Sequence, residues 1–201
     1  AHQHVADAAM LPAVAEAAPL VTMLILGENP VDDRELRRGD VDFEVGSPPP
    51  PSSSVSTQIV GVDEMVLVVR RGGPYDTDAV TAERLADATQ VVVSRRGRGR
   101  GPLDDRLREL GLTRRVAMTV PTVSAAIALV VATDAVTVLP ARLRDPLPPE
   151  LTTRPLPFPL ASAPAAISWH RRHDSDPAYA WLREQIAEVL ARALESDAQR
   201  R

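Results

Sequence analysis

Gln90-Val91-Val92-Val93-Ser94, then Val116-Ala117-Met118-Thr119-Val120-Pro121-Thr122-Val123, then Val136-Thr137-Val138-Leu139-Pro140: this series decides the fold. Each apolar, β-branched run has the length of a buried strand. A helix fills each interval. Leu103 to Leu110 is helical and is stopped by Gly111, and Val123 to Ala132 is a helix opened by Pro121-Thr122. Strand and helix therefore alternate through the middle of the chain, the pattern of an α/β fold.

The same rhythm extends in both directions. Upstream, Met10 to Ala17 has helical periodicity and Pro19 ends it, while Leu20 to Leu26 is a continuous apolar run expected as a buried strand. Asp32 or Asp33 can cap a short helix through Arg38 that Gly39 closes, and Val41 to Val45 is a strand ending at Gly46-Ser47. Strand, helix, strand is a βαβ unit and predicts a parallel sheet. The proline- and serine-rich segment Ser47 to Ser56 is expected as an exposed loop. Val60 to Arg71 is a long strand stopped by Gly72-Gly73-Pro74, and Thr81 opens a helix. Downstream come a short helix over Ala141–Asp145 and strands over Leu151–Leu156 and Ala166–Trp169. In the last helix Asp176 is the N-cap and Pro177 the first helical residue. Trp181, Leu182, Ile186, Val189, Leu190 and Leu194 line one side of it, and Arg183, Glu184, Glu188 and Arg192 the other.

Seven to nine strands with five or six helices is too many for one doubly wound sheet in 201 residues. Two Rossmann-like lobes joined by crossover strands account for the count. Residues 1–64 and 139–201 are expected to form lobe I and residues 65–138 lobe II, with a pocket facing the carboxyl ends of strands.

Composition narrows the function. A net charge of −4 and a pI near 5.6 argue against a nucleic-acid-binding module, which usually carries a basic stripe. With no cysteine there is no disulfide framework and no thiolate metal site, in agreement with a cytoplasmic origin. No run approaches the ~18 apolar residues of a membrane span, and Ala1-His2-Gln3-His4 does not open a signal peptide. The abrupt start reads as part of a longer protein. No G-x-S-x-G elbow occurs and no cysteine nucleophile is available. The expectation is a domain that binds a small molecule without chemistry or cofactor.

Four motifs then occur in order. They are Leu36-Arg37-Arg38-Gly39-Asp40-Val41-Asp42-Phe43-Glu44-Val45-Gly46, and Gly111-Leu112-Thr113-Arg114-Arg115-Val116 continuing to Val120-Pro121-Thr122-Val123. Thr133-Asp134-Ala135-Val136-Thr137-Val138-Leu139-Pro140 is the third. The fourth is Trp169-His170-Arg171-Arg172 with Asp176-Pro177-Ala178 and Trp181-Leu182-Arg183. Together, across about residues 10–186, they resemble the effector-binding domain of LysR-type transcriptional regulators, in the subgroup of nodulation and salicylate-type regulators. The resemblance implies a type 2 periplasmic-binding-protein-like fold, an effector cleft between lobes and a homodimer or tetramer. It also implies a winged helix-turn-helix upstream, which no segment here resembles, so DNA would be bound only through that missing part. Phe43-Glu44 departs from the small apolar pair usual in the family's strand. Some relatives that respond to aromatic acids place a histidine before the Val-Val-Ser strand end, where this chain has Gln90.

The candidate effector-binding residues are Gln3, His4, Gly46, Ser47, Ser94, Arg95, Thr122 and Val123. Ser94 ends a strand and Thr122 begins a helix, where unpaired N–H groups and the positive dipole end suit an anion. The plainer role of Thr122 is to cap its helix by accepting from Ala125 N–H, and that of Gly46-Ser47 is a turn. Gln3 and His4 are either effector contacts, as the resemblance places them, or a frayed terminus. Arg95 can pair a carboxylate, while Arg95 to Gly101 lacks the G-x-x-x-x-G-K-S/T pattern of a phosphate loop and reads as a mobile basic loop. His170, His173, Asp174 and Asp176 lie close in sequence but lack a third ligand at metal spacing, so a salt-bridged surface turn is expected. Trp169 and Trp181 are expected to pack together or onto the sheet. Two other functions fit the same fold: a stand-alone solute-binding protein, and an enzyme using His4 and Asp7 as an acid–base pair.

Overall fold

The run Met65-Val66-Leu67-Val68-Val69-Arg70 has four consecutive residues with almost no exposure, as a strand covered on both faces must. It is the centre of one of two units in the computed structural model of the chain, which describes residues 12, 14–26, 33–94, 100–144, 147–160 and 163–198. One unit comprises Glu64–Ser162, and the other takes the chain up to Asp63 and from Ala163 onward.

In the first unit β3 (Met65–Arg70) is flanked antiparallel by β6 (Thr137–Pro140) and β7 (Leu151–Arg154). Beside them β4 (Thr89–Val93) runs parallel to β5 (Arg115–Val120). Val136 joins β4 to the β6 side, since Val91 N–H donates to Val136 O and Val136 N–H to Thr89 O, each at 2.9 Å. Alternate residues of a strand face opposite ways, and the packing follows. Leu67 and Val69 pack with Leu85 and Ala86 of α2 (Ala82–Asp87) and Leu103 and Leu107 of α3 (Pro102–Glu109). Val91 and Val120 pack with Ala126 of α4 (Val123–Ala132). Thr81 caps α2 through Arg84 N–H at 3.3 Å. Gly111, at φ +73°, ends α3 in the left-handed conformation that glycine adopts without cost.

In the second unit β8 (Ala163–His170) lies between β1 (Phe43–Gly46) and β2 (Val55–Asp63), antiparallel to both. Ala165, Ile167 and Trp169 of β8 form a core with Ile186, Val189 and Leu190 of α5 (Pro177–Ala198). Asp176 caps α5, accepting from Ala178 N–H at 2.9 Å and Tyr179 N–H at 3.3 Å. The short α1 (Asp33–Arg38) packs against β2 and β8, with Leu36 fully buried, and ends at Gly39 with φ +81°. Residues 14–17 are helical and Val14 is buried.

Several expectations change. Leu20–Leu26 is not a strand: it joins none of the three sheets, and Leu20 and Leu24 are 98% and 82% exposed. An apolar β-branched run specifies extended backbone, but a strand also needs a ladder partner, and this run pairs with none of the described strands. The parallel pairing expected around α1 does not form: among the described residues β1 has no partner among its sequence neighbours and pairs antiparallel with β8. The long strand expected over Val60–Arg71 is two strands, β2 and β3, parted at Glu64. The return expected at residue 139 lies at Ser162–Ala163, because β7 pairs with β3 and keeps residues 147–160 in the first unit. Among the described residues no helix is long and apolar enough to cross a membrane.

Candidate binding site

The parallel pairing of β4 and β5 brings two chain turns together at their carboxyl ends. Val93 is opposite Val120, and Ser94 N–H donates to Val120 O at 2.9 Å, so Ser94 and Pro121-Thr122 leave the sheet side by side. Thr122 Oγ1 accepts from Ala125 N–H at 3.2 Å, the cap anticipated from sequence, and lies 3.2 Å from Ser124 Oγ. The side chain of Val123 is buried, so only its main-chain N–H can serve a ligand. The first-turn N–H groups of any helix have no intrahelical acceptor and carry the positive end of its dipole. In α4 no acidic residue offsets that end, whereas α2 has Glu83 and α3 has Asp104 and Asp105 in their first turns. Three of the proposed residues, Ser94, Thr122 and Val123, are thus gathered in one unit.

Gly46 is buried as the last residue of β1, opposite Ala166, and Ser47 is exposed just beyond; both belong to the second unit. Gln3, His4 and Arg95, with Asp7 of the alternative acid–base pair, lie outside the described residues.

Gln90 does not face this site. It is buried, its Nε2 donates to Leu85 O at 2.7 Å, and its Oε1 accepts from Arg114 Nη1 at 2.9 Å. Arg114 also donates to both oxygens of Asp104, at 2.9 and 2.6 Å, and Asp104 accepts from Gly101 N–H at 2.6 Å. Burial pushes the Asp104 carboxyl up, but bonds from Arg114 and Gly101 together with the Arg114 charge outweigh it and hold the group below the usual carboxylate range. This network ties the start of β4 to the N-terminus of α3. Nothing local announced it, because its members are 10 and 24 positions apart. Arg142, in the turn of 3₁₀ helix after β6, is a second buried cation the sequence did not flag, and desolvation lowers its pKa to about 10.

The histidine–carboxylate segment is held by hydrogen bonds. Among the described residues no group of three or more His, Cys, Asp or Glu is placed to hold a metal ion. Trp169 packs in the core of the second unit, its Nε1 donates to Asp174 Oδ1 at 2.7 Å, and Arg183 lies over its ring at 4.4 Å.

A family model described as the LysR substrate binding domain matches residues 8–191 of this chain. Nodulation protein D 3 of Rhizobium leguminosarum bv. phaseoli is 35% identical over 192 residues, covering 91% of this chain and 62% of that protein. The HTH-type transcriptional activator NahR of Pseudomonas putida is 28% identical over 157 residues, covering 77% and 52%. The chain therefore spans about half to three-fifths of the length of these relatives. The regulatory domain of MexT, a transcriptional activator in Pseudomonas aeruginosa, superposes with a TM-score of 0.79 at 21% identity, over 90% of this chain and 88% of that one, which shows the fold.

Proposed function

We infer, from the premise that this chain belongs to the LysR substrate-binding domain family, that it senses a small-molecule effector for a transcriptional regulator of the LysR type. It is a binding domain and not an enzyme. The relatives are named as nodulation proteins and transcriptional regulators, which favours this reading over a stand-alone solute-binding protein. In the proposal, DNA is bound by another part of a cytoplasmic regulator that assembles as a homodimer or tetramer. The effector is a small organic acid. Its binding shifts an equilibrium between two arrangements of the full-length protein, for which a differential affinity of about 1–3 kcal/mol suffices.

The observation that carries the effector class is the first turn of α4. Its N–H groups sit beside Ser94 at the end of a parallel strand pair, with no acidic residue in that turn. A calorimetric screen with small aliphatic and aromatic carboxylates tests it. Saturable binding is expected, and Ser94→Ala and Thr122→Ala, each removing one hydroxyl, should each weaken it about tenfold. If the double variant binds as tightly as the parent, the effector site is elsewhere.

A further inference from the structure

A group of titratable side chains away from the β4–β5 end gathers at the turn of 3₁₀ helix, Arg171–His173, between β8 and α5. Arg172 is its hub. Its main-chain N–H donates to His170 Nδ1 at 3.1 Å, and its Nε–H donates to His173 Nε2 at 3.0 Å. Its two terminal nitrogens reach across to α1, Nη1 to Arg37 O at 2.9 Å and Nη2 to Leu36 O at 2.7 Å. Those carbonyls belong to the last turn of α1, where the helix offers no N–H and its dipole favours a cation. The His173 ring stacks on Tyr179 at 3.7 Å, and the Tyr179 hydroxyl donates to Asp42 Oδ1 at 2.5 Å, so the chain after α1 is fastened to the same place.

Both imidazoles act here as acceptors. That requires a lone pair on His170 Nδ1 and on His173 Nε2, and a protonated ring has none to give. Acid therefore converts each acceptor into a donor facing the N–H it had held, and adds positive charge beside a guanidinium. We propose that this turn is an acid-released latch: neutral His170 and His173 hold Arg172 across the C-terminus of α1, and protonating them lets it go. Leu36 is buried and anchors α1, so the part proposed to be released is the chain from Arg37 to Asp42.

The surrounding charges are mixed. Arg37 and Asp42 approach from α1 and the chain after it, Arg171, Arg172 and Asp174 lie on the turn, and Asp176, Tyr179 and Arg183 come from α5; β2 contributes the neutral Ser56, which donates to Asp174 at 2.9 Å. Desolvation first, then the charges of Arg172, His173 and Arg37, hold His170 below its ordinary range, with Asp174 acting in the opposite sense. A depressed histidine makes the unfolded chain bind more protons than the folded one. Its stabilising effect is then complete above the ordinary imidazole value of about 6.5 and is lost as pH falls below it. Asp174 is itself held below the usual carboxylate range, despite the opposing effect of its burial, by bonds from Trp169 and Ser56. It titrates outside that window.

Amide hydrogen exchange at Gly39 and Asp40, whose N–H groups donate to Glu35 O at 3.0 Å, reads the latch directly. Measured at pH 7.5 and 5.5 and corrected for intrinsic exchange, the parent protein should lose about tenfold in protection there, the equivalent of one hydrogen bond, while β3 amides keep theirs. A His170→Asn, His173→Gln protein retains non-titrating amide acceptors and should show no such loss; His2 and His4 are common to both proteins and cancel. Equal loss in both proteins, or none in the parent, overturns the proposal. If the variant folds poorly, NMR titration of the parent decides. The His170 ring signal should move in step with the loss at Gly39, and protection that fails to follow it refutes the latch.

Discussion

Replacing Arg114 by methionine keeps most of the side-chain stem but removes the cation that joins Asp104 to Gln90. The Arg114 and Asp104 side chains are 6% and 15% exposed, so water reaches the carboxylate only in part. At least three bonds are lost, all charge-assisted and two of them to a carboxylate. Removing one partner of a fully buried pair costs about 3–5 kcal/mol. Partial rehydration of Asp104 lowers the expectation to about 2–4 kcal/mol, a fall of about 4–16 °C in Tm for a chain of this length. Urea unfolding followed by far-UV circular dichroism measures the loss. An Arg114→Met, Asp104→Asn double variant leaves no unbalanced charge and should fall short of the sum of the single effects by about 1–3 kcal/mol. Because the folded carboxyl is depressed, its contribution is complete above the ordinary aspartate value and disappears as pH falls through the lower folded value. The difference between the parent and Arg114→Met proteins should therefore begin to shrink only below about pH 4 and go on shrinking as pH falls through the lower folded value. An Arg114→Met cost under about 1 kcal/mol, or strict additivity in the double variant, would show that the network does not hold α3 to β4.

Three further outcomes are expected. Thr122→Ala removes the α4 cap and should cost about 1 kcal/mol in chemical denaturation, separately from any effect on ligand affinity. Gly39→Ala forces a side chain into a φ of +81°, with Arg172 Nη2 3.3 Å from the new methyl group, and should lower stability by about 1–2 kcal/mol in the same assay. Leu67→Ala empties the centre of β3, where the side chain is fully buried, and should cost about 2–5 kcal/mol, read as a shift in the urea midpoint with little change in slope.

Much of the local structure around the proposed site was legible because its signals are local. The Thr122 cap needs only residues 122–125, and the strand ending at Ser94 needs only the valines before it. Gln90 marks where that kind of reading stops. The resemblance set it at the position of a histidine in relatives that respond to aromatic acids, yet in this fold its amide bonds to Leu85 and Arg114. The four ordered motifs also mixed two kinds of residue. Those around Thr122 frame the proposed site, while Arg172 and Asp174 fasten α1, β2 and Trp169.

The chain by itself determined its helices, its caps and most of its strands, because hydrophobic period and turn chemistry act over a few residues. Only the tertiary structure decided partners. It paired β1 with β8 across more than a hundred residues, left the apolar Leu20–Leu26 run outside the sheets, and kept β7 beside β3. Backbone N–H and C=O groups are the same in every residue, so which strand meets which is settled by the packing of side chains distant in sequence and by the edges still unfilled.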